Sequence, residues 1–220
     1  MNDVLSSYML PDKEQIKNLP LFQNLAIEHI HVIYSHEQCQ RWAEELYSAA
    51  FLGFDSESKP TFKKGEVSTG PHLIQLATAQ QAWLFQMNAE TWGFLQPILS
   101  SRDQIKVGFG LKNDAHLFRK KGIELNSVLE LSKCFKSFGL IQPVGLKNAM
   151  ALLFQVHFPK SKSVSTSNWA NKRLSPEQIR YAAADAYAPV LVFEALLKLG
   201  LLPKEVPNTS LKLRLRPAKR

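Results

Sequence analysis

The spacing of apolar and polar positions predicts an alternation of short strands and amphipathic helices. Apolar runs over 30–34, 50–55, 73–77, 82–86, 105–109 and 127–131 have the length and the β-branched or aromatic content of strands. Apolar residues recurring three and four positions apart predict helices over 11–19, 36–49, 90–99, 113–121, 145–154 and 175–199. The last of these opens on Ser175-Pro176-Glu177-Gln178, where the serine caps, the proline pre-sets the first turn and the glutamine reaches back. Pro189 marks a candidate kink further along it. The polar turn 78–81 is too short for anything but a direct return, so the strands over 50–55, 73–77 and 82–86 form an antiparallel meander. Helix and strand then alternate. The expectation is an α/β fold, a mixed sheet of antiparallel meander plus parallel strands with helices on both faces.

At 220 residues there is room for one well-buried domain, expected over 29–200, with an N-terminal extension over 1–28 and a basic tail over 201–220. Hydrophobic residues at 45% and charged residues at 21% are ordinary globular usage, which excludes disorder as the default. The first residues carry neither a basic n-region nor an apolar h-region, and Glu194 and Lys198 interrupt the most apolar late stretch. Neither secretion nor membrane insertion is therefore expected. Cys39 and Cys134 stand far apart without a CxxC or Cys/His cluster, so they predict buried free thiols in an intracellular, cytoplasmic-type setting, with no disulfide framework or zinc site.

A net charge of +8 favours a polyanionic partner. Its distribution sharpens this. Lys204, Lys212, Arg214, Arg216, Lys219 and Arg220 oppose only Glu205 in the tail; Lys160, Lys162, Lys172 and Arg173 form an acid-free run; and Lys59, Lys63 and Lys64 follow an acidic pair. A solvated basic surface is the bland alternative to a phosphate track.

The acidic pair is Asp55-Ser56-Glu57, at the end of an apolar run. A strand sends residues i and i+2 to one face, so these two carboxylates converge. On the last helix Tyr181 and Asp185 are one turn apart on a face of small residues, which lets a helix approach a sheet closely enough to bring Asp185 against Asp55. Oxygen-only ligand sets suit hard cations such as Mg²⁺ or Mn²⁺, ions that serve mainly in chemistry on phosphates. Asp114, just past the strand at 105–109, reads either as a third ligand or as a helix-capping acid. Lys112 and Asn113 beside it read as contacts near the reacting bond or as solvated helix-start residues. His72, His116 and His157 show no metal-ligand spacing, and Phe109, Leu76 and Trp169 read first as core and second as platforms for bases.

The order of these features, Asp55-x-Glu57, Gly108-x-Gly110-x-x-x-Asp114, Ser167-Asn168-Trp169 and Gln178-x-x-Tyr181-Ala-Ala-x-Asp185-Ala, resembles the DEDD superfamily of 3′-to-5′ exonucleases. It is most similar to the Werner-syndrome-type exonuclease domain and more loosely similar to ribonuclease D and the proofreading domain of family A DNA polymerases. Tyr181 stands where the tyrosine branch of the family has its tyrosine, whereas the histidine branch would need His at position 180, which is Arg180. The resemblance implies an RNase H-like fold and hydrolysis of nucleic acid with a free 3′ end, DNA before RNA, to nucleoside 5′-monophosphates. It also implies two Mg²⁺ or Mn²⁺ ions held by Asp55, Glu57, Asp114 and Asp185, with Asp55 between them and Asp114 acting largely through water. Tyr181 would orient the attacking water, and Lys59, Lys63, Lys64, Lys112, Asn113, Lys172 and Arg173 would contact the nucleic acid. Two alternatives keep the fold: an RNA 3′-end-trimming enzyme of ribonuclease D type, and a catalytically idle nucleic-acid-binding module.

Overall fold

A computed structural model describes residues 8–61, 69–111, 117–120, 122 and 124–203. Six strands, β1 (Ile30–Ile33), β2 (Phe51–Glu57), β3 (Leu73–Ala77), β4 (Ala82–Gln86), β5 (Ile105–Gly108) and β6 (Val128–Glu130), form one sheet in the order β1-β4-β3-β2-β5-β6. β2, β3 and β4 are the expected antiparallel meander, while β1 joins β4, β5 joins β2 and β6 joins β5 in parallel. Five strands therefore end at the same edge, and only β3 begins there. The mixed sheet with helices around it is the fold class that the pattern predicted.

The helices with fully described bounds are α1 (Lys13–Asn18), α2 (His36–Arg41), α3 (Ala43–Ser48), α4 (Ala89–Ser100), α5 (Leu146–Phe154), α6 (Lys162–Ser165) and α7 (Pro176–Leu199), and residues 117–120 are helical as well. Capping boxes on Asp12, Ser35, Asn88 and Ser175 start four of them, satisfying N–H groups that a helix cannot bond internally. The single helix expected over 36–49 is instead two, broken at Trp42, whose backbone leaves helical geometry at φ −111°, ψ 6°. The Trp42 ring lies 4.2 Å from the ring of His31 and 5.7 Å from that of Trp83, so tertiary packing overrides local periodicity here. α7 runs without interruption through Pro189, the candidate kink. β2 extends two residues past the expected end at Asp55, to Glu57, and the short α6 was not expected. The tail from Lys204 onward and much of the helix expected over 113–121 lie outside the described residues.

Register decides which residue faces which layer. Gly53 pairs with Ala77, Asp55 with Gln75 and Glu57 with Leu73, so these six share one face. α7 covers that face, packing along β2 and β3. The other face carries Leu52, Phe54, Ile74, Leu76, Trp83 and Phe85, all fully buried beneath α2, α3 and α4. Leu76, considered above as a platform for bases, belongs to this second core and is far from the acids in that sense. Gly53 makes the contact with α7 possible: a Cβ there would stand 2.0 Å from the carbonyl oxygen of Ala186. The helix rests directly on the strand at that point.

Candidate metal centre

One residue before Ala186, the helix delivers Asp185 to the stretch of β2 that follows Gly53. One carboxylate oxygen from each of Asp55, Glu57 and Asp185 lies within 4.8 Å of the others, an oxygen-only group of the size a divalent cation needs. Asp55 Oδ1 accepts the N–H of Ser56 at 2.9 Å, fixing one oxygen from its own strand. Asp185 is 4% exposed, and its Oδ1 has no hydrogen-bond donor among the described residues. A buried acceptor without a donor is costly unless a cation completes it. The ammonium of Lys160 stands 3.7 Å from the same oxygen, too long for a hydrogen bond but near enough to form an ion pair. A positive charge is thus already favoured at this spot, and the donor set fits a hard cation.

Burial pushes the Asp185 carboxyl above its usual range, while Lys160 and the hydroxyl of Tyr181 pull the other way. Tyr181 itself is held well above the ordinary tyrosine value, first by burial and then by the charges of Asp185, Glu57 and Asp55. The phenol therefore keeps its proton at any physiological pH and serves as a donor. Its ring lies 6.0 Å from that of Trp169, which is buried and donates Nε1–H to the carbonyl of Ser165 at 3.2 Å. Trp169 is a wall of the site rather than a free stacking surface.

The Ser167-Asn168-Trp169 motif is tied to the start of α7. Gln178 bonds back to the Ser175 N–H at 3.0 Å and donates Nε2–H to Ser167 Oγ at 2.8 Å, so one amide caps the helix and anchors the loop. Asn168 accepts from Ala170 N and donates to Asn171 Oδ1, and Gln86 donates to the Asn171 carbonyl at 2.8 Å, joining this loop to the end of β4. A cleft of about 710 Å³ opens beside it, among Tyr34, His72, Gln86, Asn88, Lys172 and Arg173. His72, which lines it, donates its N–H to the Glu57 carbonyl and so ties the cleft to the end of β2.

Of the residues singled out in the sequence, the structure brings together Asp55, Glu57, Asp185 and Tyr181. Lys172 and Arg173 lie in the cleft, and Lys59 follows β2, its N–H bonded to His72 Nδ1 at 3.2 Å. Asp114, Lys112, Asn113, Lys63 and Lys64 lie outside the described residues, as does His116. Three residues with a stake in the site were not singled out. Lys160 was visible only as part of a basic run. Glu130, at the end of β6, accepts the N–H groups of Gly110 and Leu111 at 3.1 and 2.9 Å, and so holds the turn, with Gly110 at φ +76°, that leads toward Asp114. The third is Gln75, a polar residue inside the apolar run of β3 and directly opposite Asp55.

A family profile described as 3′-5′ exonuclease matches residues 30–200. Among curated proteins, the chain is 29% identical over 230 residues to the exonuclease mut-7 homolog of Aedes aegypti, covering 91% of this chain and 31% of that protein. It is 30% identical over 189 residues to the bifunctional 3′-5′ exonuclease/ATP-dependent helicase WRN of Mus musculus, covering 77% of this chain and 13% of that one. The chain thus spans less than a third of either relative. Among solved structures, the Aedes aegypti Nibbler EXO domain superposes with a TM-score of 0.70 at 24% identity, over 86% of this chain and 99% of that one. Trypanosoma brucei RNase D in complex with RNA U12 superposes at 0.65 and 19% identity, over 88% and 66%. These likenesses establish the RNase H-like fold. The profile spans the sheet, the acid cluster and α7: the chain belongs to the 3′-5′ exonuclease family.

Proposed function

We propose that this enzyme removes nucleotides from the 3′ ends of DNA, releasing nucleoside 5′-monophosphates, at a centre that holds two Mg²⁺ or Mn²⁺ ions. The observation that carries the proposal is the convergence of Asp55, Glu57 and Asp185 beneath Tyr181. In this reading those three acids, with Asp114, hold the ions. Bound there, the ions supply Lewis acidity, lowering the pKa of a water and neutralising the leaving oxygen. The chain's own residues supply the rest. Tyr181, protonated, donates a hydrogen bond that aims the attacking water at phosphorus. The new bond is O–P, and the bond to the 3′-oxygen breaks; the shortened strand keeps that oxygen as its 3′-hydroxyl after taking a proton. In this reading Lys160, 3.7 Å from Asp185, meets a non-bridging phosphate oxygen, and Lys172 and Arg173, which line the cleft, contact the bound strand together with Lys59. The catalytic unit is taken as residues 29–200, the basic tail over 201–220 adds phosphate contacts, and the setting is intracellular, where Cys39 and Cys134 stay reduced.

The preference for DNA rests on the resemblance of the motifs to the Werner-syndrome-type exonuclease domain. RNA is the second reading, favoured by the likeness to an RNase D solved with RNA bound. One assay separates them: labelled single-stranded DNA, recessed duplex and RNA, each with Mg²⁺, Mn²⁺ or chelator, resolved on a gel. Mononucleotide release from DNA 3′ ends, abolished by chelation, is expected. Equal or faster attack on RNA reverses the substrate assignment, and activity that survives exhaustive chelation overturns the metal centre.

A further inference from the structure

Gln75 is fully buried, and neither its Nε2 nor its Oε1 has a hydrogen-bonding partner among the described residues. A buried amide with both ends unmatched lowers stability, and apolar replacement of such a group is commonly neutral or better. Its setting offers no packing reason for an amide. The neighbours on its own strand face are Leu73 and Ala77, the residue opposite on β4 is Leu84, and the helix above presents Ala182, Ala183 and Ala186.

The other cross-strand neighbour is different. Gln75 is the register partner of Asp55, so the two side chains leave the sheet on the same face with Cβ atoms about 4.5–5.5 Å apart. Asp185, the second buried group here with an unmatched oxygen, belongs to the same cluster of carboxylates as Asp55. Among the described residues, the unmatched buried side-chain atoms of this layer are those of Gln75 and Asp185, in the acid cluster and the position beside it. Groups that ligate a cation are held in turn by outer partners, which fix their orientation.

Resting on the reading of the cluster as a metal centre, we infer that Gln75 is a positioning residue for it. Its Nε2–H holds the Asp55 carboxylate, directly or through one buried water, in the orientation the ligand set takes when loaded.

The test compares wild type with Gln75→Met and Gln75→Leu, each with the full chain. Three quantities are measured: the metal-free melting temperature, Mn²⁺ affinity by calorimetry, and kcat and KM on a labelled 3′ end across a Mn²⁺ titration. The expected result is a metal-free melting temperature equal to or above wild type, Mn²⁺ affinity weakened about 10- to 100-fold, and kcat recovering toward wild type as Mn²⁺ is raised while KM stays put. Unchanged Mn²⁺ affinity in both variants overturns the inference and leaves the metal centre standing. A lowered metal-free melting temperature, or failure of both variants to fold, makes the amide a structural group and overturns it as well. Wild type that takes up no Mn²⁺ overturns the metal centre itself, and this inference with it.

Discussion

Along β2, Leu52 and Phe54 point to one face of the sheet while Gly53, Asp55 and Glu57 point to the other. The Phe54 face is closed by large side chains: Trp83, Phe85 and Phe118 are fully buried there, with Phe94 close behind. Lys106, a buried charge on this face, gives Nζ hydrogens to the carbonyls of Ile98, Ser101 and Gln104 at 3.2, 2.7 and 2.6 Å, and among the described residues the buried polar side chains here are matched apart from the indole of Trp83. The Gly53 face has large side chains too, Phe51 against Phe193 among them, but at Gly53 it is closed by direct contact with the α7 backbone, and near the acids it leaves Gln75 and Asp185 with atoms unmatched among the described residues. One strand thus separates a layer optimised for stability from a layer whose polar groups fit something the chain itself does not supply.

If that division is right, the largest effect comes from cutting into the Gly53 face where it meets substrate. Asp55→Ala or Asp185→Ala should lower the rate of 3′-end cleavage on the order of 10³-fold or more, with the circular dichroism spectrum unchanged. Tyr181→Phe should be milder, since it removes one hydrogen bond and leaves every carboxylate in place. Near-normal turnover in Asp55→Ala would mean that the chemistry lies elsewhere.

The matching cut on the other face is Phe54→Ala, adjacent in sequence to Asp55. Phe54 is fully buried against Phe118, ring centroids 5.8 Å apart, so truncation should cost about 3–5 kcal/mol in denaturant unfolding. Turnover per folded molecule should stay near wild type. A fall in turnover as deep as that of Asp55→Ala would erase the distinction between the faces.

Gly53→Ala tests the seam. The new methyl would meet the Ala186 carbonyl at 2.0 Å, so α7 must lift from β2, and Asp185 with it. The expected cost is about 1–3 kcal/mol, smaller than that of Phe54→Ala, yet cleavage should fall much further than stability alone explains. Chemical denaturation and Mn²⁺ titration on the same preparation check both halves. If activity follows only the folded fraction, the close contact at Gly53 serves packing and not the placement of Asp185.

The same contrast explains what could be seen in the chain beforehand. Asp55 and Glu57 were legible because a period of two puts both on one face, and Asp185 because an acid among alanines in a long apolar helix has no structural excuse. The sheet's meander was legible because the turn between β3 and β4 leaves no room for a crossover. The parallel pairing of β1 with β4 was not, since it depends on where a distant edge strand docks. The break at Trp42 was hidden because His31 and Trp83, which hold its ring, lie on two other elements. Lys160 and Glu130 act from loop and strand ends, where no periodicity reports direction. Gln75 was masked by its run, Leu73-Ile74-Gln75-Leu76-Ala77, which reads as a core strand and is one.

Lys106 gives the smallest and most specific test, because it is a charge on the dry face. It pairs with Leu52 in register, so it points away from the acids, and burial pushes its ammonium down to about 8 from an ordinary 10.5. Lys106→Met leaves the carbonyls of Ile98, Ser101 and Gln104, between the last turn of α4 and the start of β5, without this donor, which should cost about 1–3 kcal/mol near pH 7 and leave kcat unchanged. The pH dependence has a definite sign. Below about 8 the lysine is protonated both folded and unfolded, so wild type and variant should differ by a constant. Between about 8 and 10.5 the unfolded lysine holds its proton while the folded one releases it. The unfolded state then binds more protons, and wild type gains stability relative to the variant as pH rises. The carbonyls oppose this, since they favour the charged form. Denaturant midpoints for both proteins across this range decide which wins: a difference that widens with pH places burial first, and one that narrows places the three carbonyls first. Either way cleavage should be indifferent to the substitution, and a loss of turnover in Lys106→Met would show that charge on the stable face reaches the reactive one.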